Sequence, residues 1–513
     1  MHVDRWWLAL VVAGPMFLGA CNSGGSRDRA KIPAAEPGPV FVLGFDGLDP
    51  RLTEEYERQG LLPNFARLRK EGAVGNVRST LPFLSPPAWT TVATGVPPAD
   101  HGIWSFWIAT PGTPRGRYVD ARSRLAPPFW EDLTRAGRTV GIINVPLTSP
   151  PDSVNGFMIS GLPYPQGVGL TWPAELEKEI VTRGYPRDVL TGPPAAGAEE
   201  AWLDEVQGAA ESRRKIGLDL LFKRKPDLSM IVFTNPDRIQ HHLWRFHDPQ
   251  HPLYRADSSD KLKNAVRDVY IWCDAVLGEV MGRIRPEETL IVLSDHGFGP
   301  AYRGISKATV TANLPAELAK KNPRGMSLFG GEFYMDFSTD EERRILVESL
   351  ENLTDANGQK LVRDAHDMLR KDQRGLGIPL GPAVFAEEAE GFMFYPGSPG
   401  DSLVRVLDPR AFSGYHRRIG YFAAWGHPIA VGPVREFDLQ DVPAILLHIL
   451  GEKIPRRYIH NVPRHLFPDA YFVHRPMTFS GTPSEGLRSP AKPAVAESGT
   501  EIREQLEALG YVQ

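Results

Sequence analysis

The sequence predicts an α/β fold: a mostly parallel central sheet with helices on both faces and an inserted cap region. Three observations carry this. The runs PVFVLGFDG, TVGIINVP, LSMIVFTN and ETLIVLSDHG are almost wholly apolar and end in turn residues, as strands covered on both faces do. Long helical patterns lie between them, around Glu199 to Phe222 and around Asp257 to Ile284, and such alternation is the mark of a parallel sheet. Finally, four apolar runs lead into ligand-type side chains. FVLGFD ends at Asp46, IVLSDHG at Asp295 and His296, SMIVFTN is followed by Asp237 and His241, and GYHRRIGYFAAWG carries His416 at its front edge. Carboxylates and imidazoles are costly beside buried strands unless something binds them. In open α/β sheets the carboxyl ends of the strands are where sites are built. Three Asp and three His make two ligand sets, the number a pair of divalent ions requires.

In chain order, residues 1–20 read as an export signal: MHVDRWW, then the short apolar stretch LALVVAGPMFLGA, then Cys21 at once. The stretch is too short for a comfortable membrane span. LGAC resembles the lipobox of bacterial lipoproteins, which implies acylation of Cys21 and an exported protein lipid-anchored on the periplasmic or cell-surface side. An ordinary signal peptide cleaved nearby is the alternative. Residues 21–38 form a solvated tether, and residues 39–470 the α/β domain. Within that domain LPNFARLRKEG predicts a short helix stopped by glycine, and DVPAILLHILG an amphipathic helix closed by Gly451. The stretch of about 299–408 is less regular, carries no strong ligand candidate, and reads as an insertion or cap with a helix at Glu341 to Leu353. Residues 471–513, rich in Pro, Ser and Ala, form a C-terminal extension ending in the small helix EIREQLEALGYVQ. Cys273 sits in a helical pattern, so a buried, inert thiol is expected and a structural disulfide is not.

Composition narrows the function. With 513 residues, 42% hydrophobic and 23% charged, the chain is globular with ample material for a core. A formal charge of −4 leaves no dominant basic face, which excludes nucleic acid as a bulk partner.

The segment LPFLSPPAWTTVATGVPPADHGIWSFW holds the candidate nucleophile. Ser85 as N-cap, Pro86 at the first helical position and Gly95 at the stop predict a well-specified helix. A helix start aims free N–H groups and partial positive charge at whatever sits there, which suits a phosphate and a serine alkoxide alike. By itself Ser85 is simply a good cap; the surrounding residues give it the second reading.

The block from Pro82 to Ile103 resembles the nucleophile segment of the type I phosphodiesterase/nucleotide pyrophosphatase branch of the alkaline phosphatase superfamily. Ser85, Thr94-Gly95, Pro98 and His101-Gly102-Ile103 match its frame. FDGLD around Asp46, the Asp237–His241 pair, LSDHGFG with Asp295 and His296, and GYH with His416 match its other motifs in order. The resemblance implies an alkaline-phosphatase-like fold and a two-metal site, with zinc the expected metal and manganese the alternative. One ion would be held by Asp46, Asp295, His296 and Ser85, the other by Asp237, His241 and His416. Ser85 would attack phosphorus and pass through a phosphoseryl intermediate. Two departures stand out. Relatives of this type usually carry Thr as nucleophile, where this chain has Ser85, and an Asn shortly after HGI, where this chain reads Trp104-Ser105-Phe106. Asn144 is a candidate replacement donor; a capping amide at a strand end is the other reading. Arg238 and Arg245 could grip a substrate phosphate, or form surface ion pairs. His101 is expected to fix a turn, Asp49 to cap a helix, and His427 to lie behind the ligands at most. His242, His247 and His251 lie off the helical face that Asp237 and His241 share.

The implied function is a metal-dependent hydrolase of small-molecule phosphoesters, diester or monoester. The alternatives are a phosphonate hydrolase or phospho-head-group transferase of the same fold, or a non-catalytic metal-binding surface lipoprotein. A sulfatase is disfavoured: Ser85 is followed by Pro, Pro, Ala and Trp, without the arginine of the C/S-x-P-x-R motif.

Overall fold

The Val40–Phe45 strand is buried along its whole length, as six residues without a polar side chain allow. It lies at the middle of a nine-stranded sheet and decides where everything else goes. Leu228–Phe233 pairs with it in parallel on one side, Thr289–Leu293 on the other, with Phe45 opposite Phe233 and Gly44 opposite Leu293. Three carboxyl ends therefore stop side by side, and the residues just beyond them emerge at one edge. Outward on the first side come Val140–Ile143 and Gly156–Ile159, both parallel, then the short antiparallel Thr171–Trp172. On the second side Ile419–Gly426 runs antiparallel to its neighbour Thr289–Leu293, and the outer Ala73–Arg78 and Gly432–Asp438 return to the common direction. Because Ile419–Gly426 is reversed, its front end, with His416 just ahead of it, reaches the same edge as the other strands' carboxyl ends.

The described residues are 38–109, 116–165, 167–187, 194–321, 330–335, 338–369, 381–407, 412–458, 462–482 and 485–487 of this computed structural model. The signal, Cys21, nearly all of the tether and the last predicted helix lie outside them. Among the described residues no helix is long and apolar enough to cross a membrane.

Helices cover both faces. Phe41, Leu43 and Phe45 share a core with Tyr56, Phe65, Val269 and Leu277, supplied by the helices Pro50–Arg58, Pro63–Glu71 and Asp260–Arg283. The opposite face, at Gly44, receives the helix Ser85–Thr94: a Cβ on Gly44 would lie 2.7 Å from a ring carbon of Trp89. Only glycine lets that helix sit so close to the sheet. The two long predicted helices are present as Glu199–Arg224 and Asp260–Arg283, the second capped by Ser259. Asp49 caps the helix it precedes, accepting from Arg51 and Leu52 N–H. Cys273 is buried and free, and burial pushes its thiol up.

The stretch with the least regular patterning is ordered around its own small core, which includes Ile305, Phe333, Leu346, Leu350 and Phe394. Strands of two to six residues, too short to print a period, build a three-stranded sheet there: Glu332–Phe333, Val384–Glu388 and Val362–Asp367. Asp340–Glu351 is its helix, with a capping box between Thr339 and Glu342. The long strand Gly297–Ser306 ties this region to Gly414–Arg417, pairing Phe298 with His416.

Helix Ser85–Thr94 ends at Gly95, whose φ of 66 is left-handed and whose N–H returns to Thr91 O at 2.8 Å. A Cβ there would meet the Tyr458 ring at 2.3 Å. Gly95→Ala is therefore expected to lower stability by about 1–3 kcal/mol, read as a fall in the thermal or denaturant midpoint; an unchanged midpoint would refute this account of the turn.

Candidate functional site

All six sequence-predicted ligands and Ser85 come together at the common strand edge, and all are buried. Asp46 follows the central strand directly. Asp295 and His296 follow Thr289–Leu293 after Ser294. Asp237 and His241 project from one face of the helix Asn235–His247, as i,i+4 residues do. The Ser85 hydroxyl donates to Asp46 Oδ1 at 3.2 Å and lies 3.3 Å from His296 Nε2. His296 Nε2 is 3.5 Å from Asp46 Oδ1 and 3.2 Å from Asp295 Oδ2. In the second group, Asp237 Oδ1 is 3.0 Å from His416 Nε2 and 3.3 Å from His241 Nε2, and the two imidazole nitrogens are 2.8 Å apart. The same Asp237 oxygen is 4.0 Å from His296 Nε2, so Asp237 stands between the groups. Ligand atoms within 4.8 Å of one another define two sets: Asp237, His241 and His416, and Asp46, Asp237 and His296. Asp295, which the resemblance pairs with Asp46 and His296, stands beside the second set.

The tautomers follow from the backbone. His241 Nδ1 is 2.9 Å from Gly414 O, His416 Nδ1 3.1 Å from Phe83 O, and His296 Nδ1 3.1 Å from Gly297 O. Carbonyls only accept, so each Nδ1 carries a hydrogen, which in a neutral imidazole leaves the lone pair on Nε2. The three Nε2 atoms thus face three carboxylates. Asp295 Oδ2 has no donor, while its other oxygen accepts Gly47 N–H at 3.2 Å. Among the described residues Asp46 and Asp295 have only His296 in ion-pair range. Burial, then Asp295 and Asp237, drives the Asp46 carboxyl well above its usual range, and burial, then Asp237, does the same to Asp295. At Asp237 burial also opposes the charge, but His241 and His416 outweigh it and hold the carboxyl low. Burial, then His416, pushes His296 down, and burial brings His416 to about 4 against the pull of Asp237. With the imidazoles neutral, these groups present acceptors alone, the arrangement that divalent cations satisfy.

Several expectations change. Ser85 is the first helical residue, and the cap position belongs to Leu84, which makes no side-chain cap bond. The reason is visible in its contacts: the hydroxyl is spent on Asp46 and His296. The next two residues, Pro86 and Pro87, have no N–H, and Ala88 N–H already bonds Leu84 O. The helix start therefore offers few of the amide donors its position suggested. Asn144 sits at the end of its strand with φ 58 and gives its side-chain amide to Val232 O at 2.8 Å, the capping arrangement. Arg238 and Arg245 are buried, not surface residues, since their helix lies between two others. Arg238 stacks over Trp202 at 5.8 Å, and Arg245 pairs with Glu199 at 3.1 Å. His427 lies at the opposite edge of the sheet, its carbonyl accepting from Thr289 at the start of that strand. His101 fixes its turn through Thr91 Oγ1 and Ile103 N–H, both at 3.1 Å. His242 packs on Trp202, His247 lies 3.4 Å from the Tyr56 hydroxyl, and His251 donates toward Ala301 O.

Other groups had no reading from sequence. Trp89 Nε1 donates to Asp46 Oδ2 at 2.9 Å. Its spacing was a usable signal, because Trp89 lies four residues after Ser85 on one helical face. Phe412 lies parallel to the His241 ring at 3.8 Å, and Tyr415 parallel to His416 at 5.0 Å. No spacing marks these two.

Residues 40–369 match the type I phosphodiesterase / nucleotide pyrophosphatase family. The chain belongs to that family. Membership places it in the alkaline phosphatase superfamily and makes it a phosphoester hydrolase. His416 lies beyond the matched span. Among solved structures, phosphonoacetate hydrolase from Sinorhizobium meliloti, in complex with phosphonoformate, is similar at a TM-score of 0.54 and 17% identity, over 81% of this chain and 96% of that one. Murine ectonucleotide pyrophosphatase / phosphodiesterase 5, an inactive form with AMP, reaches a TM-score of 0.47 at 17% identity, over 81% and 96%. The likeness to the phosphonoacetate hydrolase, at a TM-score of 0.54, bears out the α/β fold expected from sequence.

Trp89→Phe keeps the apolar contact with Gly44 and removes the donor to Asp46. It should lower kcat/KM about 10- to 100-fold, the range for partners of ligating carboxylates, with the melting point little changed. Full activity would show that the Trp89–Asp46 bond does not orient the carboxylate.

Proposed function

We propose that this chain hydrolyses a small-molecule phosphoester by in-line attack of Ser85 at a site holding two divalent ions. The observation that carries the reading is the convergence of three imidazole Nε2 atoms and three carboxylates around one serine hydroxyl. Bound ions, with zinc expected and manganese the alternative, would lower the pKa of the hydroxyl and stabilise charge on the leaving oxygen. Asp46, Asp295 and His296 are the residues that would hold the ion beside Ser85, and Asp237, His241 and His416 those that would hold its companion.

The protein's own groups do the rest. Asp46 Oδ1 accepts from the serine hydroxyl and orients its oxygen. Ser85 Oγ attacks phosphorus, the ester P–O bond breaks, and the leaving alcohol takes the proton. Water then attacks the phosphoseryl ester, releasing phosphate or a phosphomonoester and restoring the hydroxyl. With Pro86 and Pro87 contributing no N–H, backbone amides supply little of the charge stabilisation, which leaves that task to cations.

A binding-only role is the second reading, and the intact nucleophile beside the ligands argues against it. Export and acylation at Cys21 are proposed on the LGAC segment, with the lipid tying the domain to a bacterial membrane.

Ser85→Ala is expected to lose about 10⁴-fold or more in turnover of aryl phosphomonoester, phosphodiester or phosphonate substrates while keeping its metal content. Near-normal turnover would reject the serine's role. A strong chelator should abolish activity, and added zinc or manganese restore it; chelator-resistant activity would exclude a metal-dependent mechanism. Cys21→Ala should move the protein from the membrane fraction to the soluble exported fraction at unchanged specific activity, and continued membrane retention would count against acylation.

A further inference from the structure

The strand Val384–Glu388 belongs to the inserted region, yet two of its side chains reach the segments that hold His416. Phe385 and Glu387 are two residues apart and so project from one face of the strand. Phe385 meets Phe83 edge to face, ring centres 5.4 Å apart. Phe83 is the residue whose carbonyl accepts from His416 Nδ1. Glu387 Oε1 accepts from Arg418 Nη1 at 2.7 Å. Arg418 stands two residues after His416, and its carbonyl accepts Ser79 N–H at 2.8 Å, joining it to the segment that leads to Phe83. His416 is thus gripped from two directions, and one strand of the insertion fastens both grips.

The fastening is charged and largely closed. The Glu387 side chain is 2% exposed and that of Arg418 23%. Glu387 also accepts from Arg363, and its Oε1 lies 2.8 Å from His366 Nε2. Burial opposes its charge, but His366, Arg363 and Arg418 outweigh this and hold the carboxyl at about 2. Removing one member of such a pair leaves the other charge partly buried without its partner, so the geometry it holds is lost with it. Asp364, His366 and Glu387 also lie close enough to one another to ligate a cation. The two arginines already on Glu387 answer its charge, and the cluster reads as an ion-pair latch.

We infer that Glu387 is a positioning residue for the metal site: through Arg418 and the Phe83 segment it sets how tightly Asp237, His241 and His416 hold their ion. The inference rests on the two-ion reading above. It assigns the insertion a task at the metal centre. Groups one step removed from a ligand tune affinity about 10- to 100-fold, and Glu387 acts at a further remove, so the lower end of that range is expected.

The test is zinc binding by the full chain at graded, buffered free zinc, read by elemental analysis. The wild type is expected to bind two ions. In Glu387→Gln the half-saturation for one ion should move about tenfold to higher zinc, while the other ion stays in place. Saturating zinc should restore kcat to near the wild-type value. Arg418→Gln should give the same shift, and the double variant little more than either alone. Arg363→Ala, which removes an exposed partner without reaching Arg418, should bind as the wild type does. Unchanged half-saturation in both Glu387→Gln and Arg418→Gln would overturn the inference. Equal weakening of both ions, with a matching fall in the melting point of the zinc-free protein, would overturn it in favour of a general structural role. A wild type that binds no ion would overturn the two-ion reading itself.

Discussion

Three hydrogen bonds from imidazole Nδ1 to backbone carbonyls govern the rest of this structure. Gly414, Phe83 and Gly297 each accept one, and each bond turns an Nε2 inward onto buried carboxylates. Without them the histidines could rotate or change tautomer and offer protons to the aspartates, giving an ordinary hydrogen-bonded core. With them each imidazole, when neutral, meets the carboxylates as an acceptor. Such a cluster is unfavourable in isolation, and the surrounding fold must be stable enough to hold it in that state.

The sheet does the holding. Parallel pairing in register brings three strands to an end at one level, and the turns beyond them have no choice about where their first polar residues point. The fourth ligand segment arrives by a strand running the other way. Gly44 then lets the nucleophile helix settle onto the sheet through Trp89, which reaches the Asp46 carboxylate from the face opposite the long helices. A single missing Cβ in the central strand thereby fixes the height of Ser85 above the ligands. Packing and chemistry are set by the same residues here.

The strands, the long helices and the six residues that converge beside Ser85 were legible in the sequence because each is a local signal: an apolar run, a helical period, a charged residue at a strand's end. Where that reading failed, the deciding contact was distant in sequence. Ser85 looks like a helix cap until Asp46 and His296 are placed beside it. Arg238 and Arg245 look like surface cations until Trp202 and Glu199 are brought over them. Asn144 gives its amide to a carbonyl 88 residues away. The insertion was legible only as irregularity, since strands so short carry no period, and its hold on Arg418 joins residues 31 apart across two sheets. Phe412 and Tyr415, stacked on His241 and His416, carry no local mark at all.

The reversed strand Ile419–Gly426 has a consequence for biosynthesis. His416 is encoded after the whole inserted region, so a ribosome must translate about four-fifths of the message before the last member of the cluster exists. Until then the growing polypeptide displays Asp237 and His241 without their third companion, and anything that captures the pair early competes with correct maturation. Completion of the cluster is therefore a late event in the life of each molecule, and a prematurely terminated product ending inside the insertion is left without it.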